Sequence, residues 1–352
     1  MSSKKSIILI LMSGGVDSSV CALLLKDSYD IVGVTMKTPN SSAHNSAQSI
    51  AKQLGILHII IESENIFKEQ VIDKYINSRR IGLTPNPCAD CNRALKLGII
   101  PKIAEKMLGM NDLQIATGHY ASITDDMDHK YICRASDLNK DQSYFLCDLP
   151  SDVVQKLVFP LGKMNKQMVR EIARKAKIET AEKPESMDVC FCVPDDEIYA
   201  NKRGAIVGTN GIVLGEHKGI ANYTTGQRKG LRIAAKEPLY VLSIDAIKNI
   251  VVAGTKEEAY KKNVYAVNTN NLTNKTLEHL INVKLFGKTR SRGEPSPCKI
   301  TNISPKDFSV EFDEPQFAPT PGQRLVCYNE CGALLLSGVI SIRTPAITPT
   351  DL

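Results

Sequence analysis

The hydrophobic positions of the N-terminal half fall into two alternating patterns. Ile7 to Met12, Ile31 to Met36, Leu57 to Ile61 and Leu113 to Thr117 are short apolar runs and read as strands, the first as a buried one and the third as a nearly continuous apolar run. Between and after them lie stretches with helical spacing. Ser18 to Lys26 carries Val20, Leu23 and Leu24 on one face. Ala43 to Leu54 carries Ala47, Ile50, Ala51 and Leu54. Asn65 to Ser78, with Asn65 as its cap, Arg93 to Met107, and the amphipathic Met164 to Lys177 complete the set. Strands alternating with helices predict an α/β fold with a doubly wound parallel sheet, which binds its ligand at the C-terminal ends of the strands.

The pattern changes near Arg203. From Gly204 to Gly254 the apolar runs are short and glycines are frequent, which predicts a small, mostly β central module. From about Asn271 onward five short strand-like runs separated by turn residues predict a C-terminal β-barrel. The expected divisions are 1–203, 204–270 and 271–352.

The junction of the first strand and first helix reads Leu11-Met12-Ser13-Gly14-Gly15-Val16-Asp17-Ser18-Ser19. Glycines there let backbone N–H groups converge, and the helix start adds free N–H groups and the positive dipole end, which together suit a phosphate. Ser18 and Ser19 can cap the helix or meet phosphate oxygens. No lysine follows a second glycine, so the loop is not a Walker A. Its Ser-Gly-Gly-x-Asp-Ser order resembles the PP-loop of the ATP pyrophosphatases, which split ATP to AMP and pyrophosphate. Met36, at the end of the second strand, falls where an adenine-binding backbone is expected. Asp17 either organises Mg²⁺ with the ATP or holds the loop.

Composition narrows the class. The chain has 352 residues, 43% hydrophobic and 23% charged, as in an ordinary globular protein. Its first apolar run is too short for a membrane span or a leader, so a cytoplasmic protein without membrane attachment is expected. A net charge of +6 permits a nucleic-acid partner without requiring one. Ten cysteines in such a chain are not a disulfide framework. Two pairs differ from the rest because they lie among Pro, Asn, Asp and Ser: Cys88/Cys91 and Cys190/Cys192. Cys88 and Cys91 have the spacing of half a zinc site, but Cys190-x-Cys192 is a poor matching half. A zinc-stabilised RNA-binding module therefore stays open as an alternative, as does another adenylating PP-loop ligase.

Further motifs narrow the resemblance. SGGVDSS, TPNPCADCN, ATGHYA, KDQSYFL, the Cys190 loop, TTGQRKGL and FDEPQFAPTPGQ stand in the order found in the tRNA-specific 2-thiouridylases (MnmA type), and the match runs from about Ile7 to Ile342. The resemblance implies an ATP-dependent tRNA uridine 2-sulfurtransferase acting on the wobble uridine. Its C2 oxygen would be adenylated and replaced by sulfur from a cysteine persulfide. A cysteine desulfurase or sulfur-relay protein would supply that sulfur. By the same resemblance Cys91 is the nucleophile and Cys190 the persulfide carrier. Leu11 to Ser18, Met36 and Gly118 would hold ATP. Asn86, Pro87 and Cys88 would meet the target base. His119, Lys140, Asp141, Gln142, Arg290, Ser291 and Gln323 would face tRNA. Both reactive thiols are expected to have depressed pKa values near an electropositive mouth. Besides a compact central module, three features depart from the family pattern. Cys88 stands where some members carry Asp, the Thr38 to Ser46 segment is short, and Cys192 is an extra thiol.

Overall fold

The computed structural model describes residues 5–39, 42–126, 129–182, 190–191, 193 and 202–342. Five parallel strands form the first sheet: β1 Ser6–Leu11, β2 Tyr29–Lys37, β3 Leu57–Glu62, β4 Gln114–Thr117 and, after a hairpin of β5 Ser122–Asp126 and β6 His129–Cys133, the short β7 Leu157–Val158. Their order is β3-β2-β1-β4-β7. β1 and β4 run parallel, and the order in which strands are added reverses between them, so a crevice opens at the C-terminal ends of those two strands.

Burial on both faces explains the unbroken apolar run of β1. Ile8 and Ile10 pack into a layer with Val20 and Cys21 of α1 (Val16–Leu25), Ile50 of α2 (Ala43–Leu54), and Val169 and Ala173 of the helix Lys166–Lys175. Leu9 points the other way, toward Phe67, Val71, Leu95 and Ile100. The helices of this second layer are composite. One runs through Glu64–Phe67, a π-helical Lys68–Asp73 and Lys74–Arg80. The other runs through Pro87–Cys91, a π-helical Asn92–Ile99 and Ile100–Leu108. The helix expected from Arg93 thus begins earlier, at Pro87. A proline at the first helical position and an asparagine cap favour that start.

The central module is a four-stranded sheet of β8 Gly204–Val207, β9 Val213–His217, β10 Tyr240–Asp245 and β11 Ile250–Gly254, in the order β10-β11-β8-β9. The closed barrel follows: β12 Tyr260–Asn271, β13 Leu285–Lys288, β14 Ser296–Ile303, β15 Asp307–Phe317, β16 Arg324–Tyr328 and β17 Leu334–Ile340. Its first strand lies ahead of the expected boundary at residue 271. β12 is mostly polar, with Val264 and Ala266 its buried apolar pair, so it gives little periodic signal. The barrel shares a core with the first unit, where Val326, Tyr328 and Leu334 pack with Tyr144, Leu146 and Leu149. Among the described residues, no helix is long and apolar enough to cross a membrane.

Candidate active site

Two glycines fix the phosphate loop by close approach. Gly14 has φ of 68°, and a Cβ there would lie 2.6 Å from the carbonyl oxygen of Ala43 and 2.9 Å from the backbone nitrogen of Ala47. The start of α2 therefore rests on the loop. A Cβ on Gly118 would meet the backbone of Asp17 and Ser18 at 2.7 Å. Only glycine lets the segment after β4 pass so close to the first turn of α1. Ser13 Oγ and Ser18 Oγ lie 3.3 Å apart, and Ser18 Oγ donates to the Gly15 carbonyl at 3.1 Å. Backbone, dipole and hydroxyls are thus gathered around a hollow that suits phosphate oxygens. Leu11, Met12, Gly15 and Val16 complete the turn, and Met36 closes β2 beside it.

Asp17 is already engaged. Lys166 Nζ donates to its two carboxylate oxygens at 2.7 and 2.8 Å, and Tyr120 Oη donates at 3.0 Å. An ammonium on both oxygens does not fit a carboxylate presented to Mg²⁺, so no metal step is derived through Asp17. Lys166 opens its helix, where the dipole disfavours a cation, and no acidic residue offsets it in that turn. A lysine in the first turn of a helix that packs on the same layer as α1 was the available sequence signal for this pair.

Lys96 links the thiol loop to the segment after β4, because its charge acts on Cys88 and Cys91 and also on His119, next to Gly118. Asn86 is buried and caps its helix, its Oδ1 accepting from Ala89 N–H at 3.2 Å. Pro87 is buried, Cys88 is exposed and Cys91 is buried. Cys190 is exposed, and the adjacent Phe191 packs edge-on against Phe67 at 6.0 Å and Tyr75 at 5.5 Å. Phe191 also joins the cluster that contains Cys91, and Cys190 is near enough to act electrostatically on both Cys88 and Cys91. The fold thus brings three of the four loop thiols together; Cys192 lies outside the described residues. Their electrostatics correct one expectation. Burial pushes the Cys91 thiol up to about 11, against the lowering field of Lys96, with Cys190, Cys88 and Asp90 adding to the rise. The cation field is present, but desolvation outweighs it.

The residues expected to face tRNA divide. Lys140 is half-buried, as is Ser291 on the segment after β13. His119 Nδ1 lies 2.7 Å from Thr117 Oγ1, and burial holds its ring well below the ordinary histidine pKa, with Lys96 adding to the shift. Asp141 is enclosed and spent internally, accepting from Ala135 N–H and Ser143 N–H at 3.1 Å and pairing with Arg134. Gln142 Oε1 accepts from Tyr120 N–H at 2.9 Å. Arg290 donates to the Ala318 carbonyl at 2.7 Å. Gln323 Nε2 donates to the carbonyls of Thr84 and Pro85 at 2.9 and 3.2 Å. These four side chains hold backbone in place.

Family models match three consecutive segments: a tRNA methyl transferase HUP domain over 6–194, a tRNA methyl transferase PRC-barrel domain over 196–255, and an aminomethyltransferase beta-barrel domain over 263–340. A tRNA-specific 2-thiouridylase MnmA of Gloeothece citriformis is 40% identical over 347 residues, covering 94% of this chain and 97% of the relative. The chain belongs to the tRNA-specific 2-thiouridylase (MnmA) family. Another member, MnmA 1 of Fusobacterium nucleatum, is 38% identical and covers 94% of this chain and 92% of its own length. Among solved structures, a subunit of tRNA methyltransferase from Methanocaldococcus jannaschii is 21% identical with a TM-score of 0.32, covering 48% of this chain and 74% of that one.

The 2-thiouridylase match spans both β modules, and the contacts between units show what motif reading missed. Arg79 is buried and joins the composite helix to the central module, donating to Thr224 Oγ1 at 3.2 Å and to the carbonyls of Ala221 and Tyr223. Arg324 of the barrel reaches Asp90 and Asp148. Arg79, Asp148 and Arg324 lie in none of the motifs, and Asp90 and Thr224, though inside TPNPCADCN and TTGQRKGL, were not singled out there. A charged residue beside an apolar strand run, as in Arg324-Leu-Val-Cys-Tyr328, is the one faint sign.

Proposed function

We propose that the protein is an ATP-dependent tRNA uridine 2-sulfurtransferase that converts the wobble uridine to 2-thiouridine. The observation that supports it is the convergence of Cys91 and Cys190, distant in sequence, under the field of Lys96, which also reaches His119 beside the Gly118 edge of the phosphate hollow. Uridine's C2 oxygen attacks the α-phosphorus of ATP and pyrophosphate leaves. The terminal sulfur of a persulfide on Cys190 then attacks C2, and AMP leaves. Cys91 attacks the Cys190 sulfur, which closes a disulfide and releases the transferred sulfur into the base. An external thiol reductant resets the pair, and a cysteine desulfurase or sulfur-relay protein restores the persulfide.

The resting thiol of Cys91 is protonated at neutral pH, so it does not attack the persulfide early. The phosphate hollow orients ATP, Lys166 keeps the Asp17 charge neutralised beside it, and the β modules brace the thiol loop. An anticodon base in a single-stranded loop costs little stacking energy to flip. Incubating the protein with ATP, tRNA and a sulfide source and analysing the nucleosides tests the reading. It expects 2-thiouridine with AMP and pyrophosphate in step. ADP and phosphate as stoichiometric products would sink it.

A further inference from the structure

Arg324 enters the first unit from the barrel and is almost fully buried, at 5% exposure. Its Nε donates to Asp148 Oδ2 at 2.7 Å, and its Nη2 lies 2.7 Å from the same oxygen and 2.5 Å from Asp90 Oδ1. Nη1 donates to the Gly322 carbonyl at 3.1 Å. Its backbone is fixed as well, because the Tyr144 hydroxyl accepts from Arg324 N–H at 3.0 Å and donates to the Arg324 carbonyl at 2.9 Å. Asp148 Oδ1 receives the Cys147 thiol. Every charged end of this triad is partnered, as a buried guanidinium with two carboxylates requires.

Asp90 stands between Cys88 and Cys91 on one helical turn, and its charge acts on both thiols. A second set of barrel contacts lands just before that turn. Thr84 N–H donates to the Pro321 carbonyl at 2.9 Å, and a Cβ on Gly322 would strike the Thr84 backbone at 2.9 Å. The barrel therefore grips the thiol turn at both ends, at Thr84 by backbone and at Asp90 by charge.

We infer that Arg324 is a positioning residue for the sulfur-transfer thiols: it ties the Asp90 turn to the barrel and partly offsets the Asp90 charge that acts on Cys88 and Cys91. This deepens the proposed function, since it rests on Cys91 being the nucleophile. Released from Arg324, Asp90 is a naked anion beside two thiols that must ionise to react. The groups facing Cys91 are Lys96, Cys190, Cys88 and Asp90; Lys96 alone opposes the anionic ones, so removing that offset shifts the balance toward the protonated thiol.

The test is the rate at which a small alkylating reagent modifies Cys88 and Cys91, mapped by peptide mass spectrometry across pH, in the full-length wild type, R324M, R324K, D90N and D90N/R324M. Cys88 is the exposed reporter of the same field. R324M is expected to slow alkylation about tenfold at neutral pH and move the midpoint upward by about one unit. D90N/R324M is expected to return to within about threefold of wild type, because the Asp90 charge is gone. A brace without an electrostatic role would leave the double variant as slow as R324M, and that result overturns the inference. So does a folded R324M with the wild-type pH profile. Should R324M not fold, R324K carries the test. One ammonium cannot span both carboxylates as the guanidinium fork does, so the midpoint should rise, and an unchanged profile overturns the inference. Alkylation needs no tRNA or ATP, so failure of 2-thiouridine formation by the wild type would strike the proposed function and leave this result standing.

Discussion

Gly118→Ala should disable the nucleotide site by displacing a loop it does not belong to. The added methyl would lie 2.7 Å from Asp17 C and Ser18 N and 3.0 Å from Asp17 O. All three are backbone atoms of the first turn of α1, so no side-chain rotamer can relieve the clash. Ordinary contact needs more than half an ångström of extra room, which must come from β4 or from the phosphate loop. β4 pairs with β1 through Ile8↔Gln114 to Leu11↔Thr117, so the loop is the softer partner. Overpacking of this kind costs about 1–3 kcal/mol. If it falls on the phosphate hollow, ATP affinity drops about 5- to 150-fold. Titration calorimetry with ATP reads the effect, and filter binding of tRNA should change little. Gly215→Ala is the control: its Cβ would make ordinary contact with Ile233 at 3.5 Å in the central module. A Gly118→Ala protein that binds ATP like wild type would refute the claim that Gly118 sets the position of the loop.

Cys91→Ser and Cys190→Ser should each abolish 2-thiouridine formation while pyrophosphate release survives in part, and Cys88→Ser should keep measurable activity; nucleoside analysis of the three variants decides. Because burial raises Cys91 to about 11, its alkylation in the free protein should climb about tenfold per pH unit from neutral to about pH 10, and a plateau near pH 8 would contradict the burial argument. His119 is held below its unfolded pKa, so its contribution to stability is complete above about pH 6.5 and is lost as pH falls beneath that value. His119→Gln should flatten the acid limb of stability against pH, as denaturant midpoints would show. Lys166→Met leaves both Asp17 oxygens without their cation beside the phosphate hollow, so ATP affinity should fall about tenfold, with Lys166→Arg weakened less.

What could be read from sequence followed from how locally each feature is encoded. β1, β2 and α1 were legible because strands buried on both faces must be largely apolar, the edge strand β3 because its Ile59-Ile60-Ile61 run is strongly strand-forming although Leu57 is exposed, and the phosphate hollow because a Ser-Gly-Gly turn has few other uses. The hairpin β5–β6 and the edge strand β7 were missed: the first alternates through Asp125 and Asp126, and the second is two residues long. The π-helical turns at Lys68–Asp73 and Asn92–Ile99 leave no periodic mark, although each lies in a helix lining the thiol side of the sheet. The site was half legible. The two cysteine pairs stood out because they lie among polar and proline residues, and the choice of Cys91 and Cys190 within them came from the resemblance. The structure gives Cys91 a helical, buried place beside Leu95 that the polar sequence did not suggest. Lys166, Asp90, Asp148 and Arg324 act through partners far away in sequence, which a single chain read in order does not pair. Asp141, Gln142 and Gln323 were selected as tRNA-facing through the resemblance; their bonding here is to the protein itself.

The same seam decides what a truncation can show. Cutting the chain at residue 271, the expected start of the barrel, would not cleanly separate the first unit from the barrel. The cut would leave β12 without its partners β15 and β17. It would also strip Val326, Tyr328 and Leu334 from Tyr144, Leu146, Leu149 and Val154, all of them 1% exposed or less. Re-exposing a large apolar side chain costs about 1.5–3 kcal/mol, and several are uncovered together. Asp148 would lose Arg324 while still surrounded by protein, at about 3–5 kcal/mol. The sum reaches the whole stability of a typical domain. A chain ending at 271 is therefore expected to be insoluble or to lack a cooperative thermal transition, and to bind neither ATP nor tRNA. Differential scanning calorimetry of the truncated and full-length proteins is the measurement. A truncated chain that melts cooperatively and binds ATP at wild-type strength would show that the barrel contributes tRNA contacts and little else, and that the Arg324 seam is dispensable to the first unit.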